Sequence, residues 1–220
     1  MDHLAGNLLI AVENYLIPAK SVIVNLSDTP AFIGGRPKGY LPARQSTVVE
    51  NTELTADLAL SIALPSPKTS EQEFREAQWV DFYGDSAQGG ANIPVLLKSP
   101  QTAVTEVEMD PYRATSGTSK RAEYFQIKLN LWFSPAGTDC GIHNQHDFLE
   151  VHTQISGIGA MQKFEDPTAP TPYEEQLMAV GATSPSPFCE YEDGSFSYPW
   201  HQYKAVTDSV WLAIEYHRAQ

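Results

Sequence analysis

The sequence predicts an all-β protein with one or two short peripheral helices. Residues Tyr124 to Phe133 alternate strictly, with Phe125, Ile127, Leu129, Leu131 and Phe133 on one face and Tyr124, Gln126, Lys128, Asn130 and Trp132 on the other, the period of a half-buried strand. Short β-branched or apolar runs recur between glycine and proline punctuation along the rest of the chain. A length of 220 residues with 42% hydrophobic and 19% charged side chains is enough to bury one good-sized core and fits a single folded domain.

Taken in order, the N-terminus opens with Leu4, Leu8, Leu9, Val12, Tyr15 and Leu16, which fit one helical face ended by Pro18. This predicts a short helix packed on the barrel or on a partner subunit. Its early Asp2, its lack of a basic flank and Glu13 within the apolar part are not those of a signal peptide. Strands follow at Ser21–Leu26, Thr47–Val49 and Leu58–Leu64, with a Gly/Pro loop at Phe32–Tyr40. Arg36 and Lys38 in that loop match no phosphate-binding fingerprint and read as a solvated turn. Thr69–Tyr83 has a Ser/Thr start, acidic residues in its first turn and Gly84 after it, which predicts a helix capped at both ends. Gly89, Gly90 and Pro94 mark a loop, and Val95–Lys98 and Val104–Met109 read as strands. After the alternating strand, Pro135 and Gly137 break the chain, a second strand runs through Val151–Ile155, and Gly157 and Gly159 turn it. The last strand is centred on Val210–Ile214, after a turn at Thr207–Asp208.

The charge balance excludes more than it selects. A net charge of −13, from 14 basic and 27 acidic residues, repels phosphate backbones and anionic lipid, so neither nucleic acid nor membrane is an expected partner. No stretch reaches the ~20 apolar residues of a membrane span. Cys140 and Cys189 are too few for a disulfide framework and point to a reducing, cytoplasmic setting; Cys140 reads as a small buried filler. What remains is a soluble protein handling a small molecule.

The chemistry concentrates in GTDCGIHNQHDFLEVHTQISGIG, Gly137 to Gly159. His143, His146 and His152 fall there, three of the six histidines in the chain, with Glu150 among them. Imidazole and carboxylate together make a site for a divalent transition metal; iron, manganese, zinc, nickel and cobalt all suit it.

This spacing resembles the first motif of the cupin superfamily, a glycine, five residues, His-x-His, three or four residues, Glu, six residues and Gly. Gly137, His143, Glu150 and Gly157 fit its anchors. The second histidine position holds Gln145, with His146 one place later, so either Gln145 replaces a ligand or a bulge turns His146 into its place. The second cupin motif finds a loose match in GSFSYPWH, Gly194 to His201, and KAVTDSVWLAIEY, Lys204 to Tyr216, without the family's inner glycine and trailing asparagine. The resemblance covers roughly Gln126 to Tyr216. It implies a jelly-roll β-barrel or sandwich over residues 1–220, with 1–100 as an N-terminal extension and added strands and 120–217 as the metal-binding core. It implies a homodimer as well.

The resemblance further implies metal ligands at His143, His146, Glu150 and His201. His152 shares a strand face with Glu150 and is placed as a general acid or base, or as a residue that orients a ligand; Glu150 is the second candidate catalytic residue. Tyr124, Gln126, Lys128, Asn130, Trp132 and Gln145 are the candidate substrate-binding residues, with Lys128 able to anchor an anion. The expected function is a metal-dependent enzyme acting on a small polar metabolite, of the isomerase, epimerase, lyase or dioxygenase type. The alternative is a barrel of the same kind that binds a small molecule for sensing or storage without turnover. The insertion between the Gly181 turn and His201, which includes Pro185–Pro199, is expected to be a surface loop or lid.

Overall fold

The computed structural model describes residues 6–64, 70–84, 95–115, 118 and 121–219. Leu4, Thr69 and the predicted loop at Gly89, Gly90 and Pro94 lie outside them. In chain order the strands of the first half are β1 (Gly6–Ile17), β2 (Ser21–Asn25), β3 (Ala31–Ile33), β4 (Gly39–Leu41), β5 (Ser46–Val49) and β6 (Thr52–Ala63). They form one antiparallel sheet in the order β4-β3-β6-β2-β5, with β1 also on β6. Next come helix α1 (Glu71–Glu76), β7 (Val80–Asp81), β8 (Leu97–Lys98), β9 (Thr102–Met109), the helical turn α2 (Pro111–Ala114), β10 (Glu123–Ser134) and β11 (Leu149–Ser156). The chain continues through β12 (Gly159–Phe164), β13 (Glu174–Met178), β14 (Glu190–Glu192), β15 (Ser195–Ser197), β16 (Trp200–Ala205) and β17 (Ser209–Arg218). The second sheet runs β11-β17-β10-β8-β7 with β9 also on β10, and the third is β13-β12-β16. The fold is therefore mostly β, with curled antiparallel half-barrel sheets and two short helices, the class expected from the sequence.

Side-chain alternation decides the layers. The odd positions of β10, from Phe125 to Phe133, join Leu212, Ile214 and Tyr216 of β17 in the main core, where Val22, Val24, Leu58, Leu60 and Ile62 of the first sheet meet them. Each such buried side chain contributes roughly 1.5–3 kcal/mol of apolar transfer. The opposite face of the second sheet packs on the third sheet, where Trp211 meets Met161, Met178, Tyr203 and Ala205. The candidate site lies in this second interlayer, where Asn130, Gln154, His201 and Glu215 are among the buried polar side chains.

Three local expectations are corrected. The N-terminal segment is not a helix: β1 pairs antiparallel with β6 from Gly6↔Ile62 to Ile17↔Thr52. Its helix-like apolar spacing comes from an irregularity between Val12 and Tyr15, with Ala11 and Asn14 at positive φ, which offsets a period-two pattern. The second helix is shorter than predicted. Ser70 and Glu73 form the capping box, but α1 ends at Glu76 with Ala77 as its cap; Phe74 packs at 4.4 Å between ring centroids on Trp79, which requires the chain to double back before Gly84. The loop predicted at Phe32–Tyr40 ends in paired strands, β3 on β4.

Nor is the segment Pro185–Pro199 a surface loop. It carries the β14–β15 hairpin, and Cys189, Tyr191, Phe196 and Tyr198 are buried in the main core. Just upstream, Gly181 N donates to Gln154 O, Gln154 N to Ala182 O and Ser184 N to His152 O, at 2.8–2.9 Å, so residues 181–184 cover the open edge of β11. Among the described residues no helix is long and apolar enough to cross a membrane.

The glycine turn after β11 is sterically required. Gly157 has φ +74, and a Cβ there would stand 2.0 Å from Asp208 O. A Cβ on Gly159 would stand 2.0 Å from the Tyr203 hydroxyl.

Candidate metal centre

The loop from Gly137 to His143 lies along β16 although it forms no continuous strand. Gly137 N donates to Ala205 O, Ala205 N to Thr138 O and Cys140 N to Tyr203 O. His143 and His201 then exchange both backbone bonds, at 2.9 and 2.8 Å. From Cys140 to His143 the loop uses one residue more than β16 does from Tyr203 to His201. Gly141, at φ +72, takes up the excess, as a bulge does. Cys140 is part of this seam: its sulfur accepts from Tyr203 N at 3.1 Å, and burial pushes its thiol up to about 12, so it is inert filler rather than a ligand.

His143, His146 and His201 converge, with their ligand atoms all within 4.8 Å of one another. His143 Nδ1 lies 2.9 Å from Gly141 O and His201 Nδ1 2.8 Å from Pro199 O. Each of these nitrogens must carry the proton to donate to its carbonyl, which leaves the Nε2 lone pair free, the arrangement that orients metal-ligating histidines. His146 Nε2 and His201 Nε2 are 3.3 Å apart. Two imidazole nitrogens each ~2.0–2.1 Å from a shared ion would stand about that far apart. Burial, with His143 nearby, depresses His201 to about 3, and burial also lowers His146, so both are neutral and able to ligate near neutral pH. The donor set fits a divalent transition metal.

Glu150 stands beside the triad, with Oε2 3.6 Å from His146 Nε2 and Oε1 3.2 Å from His152 Nε2. Burial alone would raise its carboxyl; the charge and hydrogen bond of His152, with His146 and His201 behind, outweigh that and hold it well below the usual carboxylate range. The backbone N–H of Glu150 donates to Tyr198 Oη at 2.7 Å, and that hydroxyl donates to Phe148 O at 3.0 Å. The Tyr198 ring packs 4.8 Å from His146 and 5.5 Å from His201. His152 is fixed through its backbone, whose N–H donates to Ser184 Oγ at 3.1 Å.

The strand register places the remaining candidates. Across β11, β17 and β10, one face shows the rows Glu150–Glu215–Lys128, His152–Ala213–Asn130 and Gln154–Trp211–Trp132. Lys128, Asn130 and Trp132 therefore share the face of Glu150 and His152, and Gln126 lies opposite His217 at its margin. Trp132 is committed to packing, stacked on Trp211 and under Lys98. Two candidates fall outside the cluster. Tyr124 is 60% exposed and lines an open hollow with Arg121 and Arg218 near the start of β10. Gln145 is exposed while His146 turns inward, in a stretch, 144–148, that follows no strand period. Tyr198, Ser184 and Glu215 were not singled out from the sequence. Glu215 alone had a signal, as an acidic residue inside an apolar final strand.

No family model matches the chain, and no curated protein matches it. Solved structures of cupin fold do match, at low sequence identity. They include a cupin 2 conserved barrel domain protein from Leptotrichia buccalis, with 8% identity over 96% of this chain and 77% of the other and a TM-score of 0.31. A variant of the salicylate 1,2-dioxygenase from Pseudoaminobacter salicylatoxidans matches with 9% identity over 96% and 69%, TM-score 0.36. Vicilin from Capsicum annuum matches with 9% identity over 98% and 72%, TM-score 0.32. Identities and scores of this size carry nothing about activity.

Proposed function

We propose that the protein is a metal-dependent enzyme that moves a proton on a small polar metabolite, of the isomerase, epimerase or lyase type. The observation that carries this reading is the convergence of His143, His146 and His201 within 4.8 Å, beside a half-buried His152–Glu150 pair. A divalent transition metal held there would act as a Lewis acid on a substrate carbonyl or hydroxyl.

The chain's own residues supply the rest. The carbonyls of Gly141 and Pro199 hold two imidazoles in one tautomer. With His152 Nε2 donating to Glu150, the lone pair of His152 is on Nδ1, which is the base. Glu150, kept ionised, stabilises the imidazolium that forms when that nitrogen takes a proton. The surrounding aromatic rings of Tyr198, Tyr203 and Trp211 exclude water, which strengthens these charge interactions.

Elemental analysis of protein purified without a histidine tag or chelator, wild type beside His143→Ala, tests the reading. Near-stoichiometric manganese, zinc, nickel or cobalt, lost in the variant, supports it. Stoichiometric iron with O₂ uptake on candidate metabolites would move the assignment to a dioxygenase. No metal in either protein after reconstitution overturns the centre.

A further inference from the structure

A cleft of about 920 Å³ opens where the first and third sheets meet, a volume at the upper end of the range for small-molecule sites. One wall is the end of the β3–β4 hairpin with the turn after it and the start of β5; the other is Gln176 of β13 with residues 183–186. The two walls are tied together at their base. Ser46 Oγ donates to Gly181 O at 2.8 Å, and a Cβ on Gly181 would stand 2.6 Å from Val48 Cγ2. Ser184 Oγ, on the second wall, accepts from His152 N at 3.1 Å. The cleft is thus framed by all three sheets and is rigid at its floor.

Its chemistry is uniform. None of the lining residues is charged, although 19% of the chain is. Arg44, between lining residues in sequence, is buried and paired with Asp28 at 2.7 Å. A carboxylate, phosphate or ammonium group entering the cleft would lose water and meet no counter-charge. The cleft therefore selects a neutral ligand.

What it offers instead is hydroxyl and amide groups around one aromatic ring. Among the described residues the side chains of Tyr40, Gln45, Thr47 and Ser186 hydrogen-bond to no other protein group. Gln176 gives its Nε2 to Thr183 O at 3.3 Å, which leaves its Oε1 as an acceptor. Gln45, Thr47 and Gln176 are half-buried along the walls. Tyr40 is 64% exposed at the rim, its ring 6.1 Å from that of Phe32 and edge-on to it. An exposed aromatic surface beside closely spaced donors and acceptors complements a molecule with an apolar C–H face and a rim of hydroxyls.

We propose that this cleft binds neutral carbohydrate, with one sugar ring stacked on Tyr40 and its hydroxyls bonded to Gln45, Thr47 and Gln176. The site is separate from the metal centre and does not rest on that reading, since neither the histidine triad nor Glu150 lines it.

Calorimetric titration of the full chain with maltose, cellobiose and N,N′-diacetylchitobiose, and with glucuronate as an anionic control, tests the proposal. At least one neutral disaccharide is expected to bind, with a Kd of about 1 mM or tighter, and glucuronate is expected not to. Tyr40→Ala should weaken the bound sugar about tenfold, the worth of one aromatic contact, whereas Tyr40→Phe, which keeps the ring, should retain most of the affinity. Gln176→Leu should weaken it about three- to tenfold, the range of one hydrogen bond. Far-UV spectra of the same samples show that each variant is folded, and Gln176→Leu carries the test should Tyr40→Ala not fold. Binding of none of the three disaccharides overturns the proposal. So does glucuronate binding as tightly as they do, or affinity unchanged in the folded variants.

Discussion

His143 and His201 bind each other through their backbones, each N–H donating to the other's carbonyl at 2.9 and 2.8 Å, so that their rings stand 4.5 Å apart. The bridge depends on main-chain atoms only. Two of the three donor nitrogens are thus placed before any ion arrives, the preorganisation a tight site needs.

Because the bridge survives loss of the side chain, His201→Ala should fold and lose metal. The expected result is a fall in affinity of about a hundredfold or more, since even outer partners of metal ligands are worth roughly 10- to 100-fold. Competition with a coloured chelator, beside a far-UV spectrum of the same sample, measures both.

Tyr198→Phe removes one hydroxyl and with it the bonds to two part-buried backbone groups, Glu150 N and Phe148 O. The expected cost is about 1–3 kcal/mol, seen as a lower midpoint in urea with an unchanged slope. Metal affinity should fall about tenfold, because Glu150 and the His146 ring lose their support.

His152→Gln separates chemistry from metal binding. His152 faces Glu150 at 3.2 Å and lies outside the triad, so metal content should stay near that of the wild type. Turnover, once a substrate is in hand, should drop about 10²- to 10⁴-fold, the usual worth of a positioned acid or base. A variant with full turnover would end the assignment of His152 as base.

Gly159→Ala would place a methyl 2.0 Å from the Tyr203 hydroxyl and 2.3 Å from its ring. The ring cannot yield, being stacked on Trp211 and bonded through its hydroxyl to Gln154 Oε1 at 2.6 Å. Overpacking of this kind costs about 1–3 kcal/mol or more. Since Tyr203 and His201 share β16, thermal midpoint and metal affinity should fall together.

Acid should destabilise the metal-free protein early. Burial depresses His201 from 6.5 to about 3 in the folded state, so its contribution is complete above pH 6.5 and is lost as pH falls towards 3. Glu150 is also depressed, by His152 acting against burial; its contribution is complete above its ordinary value of 4.5 and is lost below it. Both losses run in the same direction, at about 1.4 kcal/mol per pH unit for each additional proton bound by the unfolded chain. Thermal midpoints of wild type and His201→Gln from pH 7 to 4 check this: the variant should show the shallower fall.

Much of the architecture was legible in the chain. The alternation of Phe125 through Phe133 identified both a strand and its buried face, because that period is a local property of the backbone. The clustering of His143, His146, Glu150 and His152 located the candidate chemistry, since all four lie in one short stretch. The N-terminal segment misled because bulges around Ala11 and Asn14 imitate a helical spacing. Tyr124 misled because a strand's period gives the face a residue shares and not whether another layer covers it, and Tyr124 is exposed at the start of β10.

By itself the sequence determined an all-β chain, the two faces of its central strands and a donor set of imidazoles and carboxylate. The resemblance offered His146 and His201 as ligands; the tertiary structure brings both to His143, leaves Gln145 exposed, and bonds Asn130 to Glu215. The reason is physical. Side-chain alternation and donor chemistry belong to neighbouring residues, whereas these choices depend on cross-strand register and on the irregular backbone of residues 144–148, and both are set only when distant segments pair.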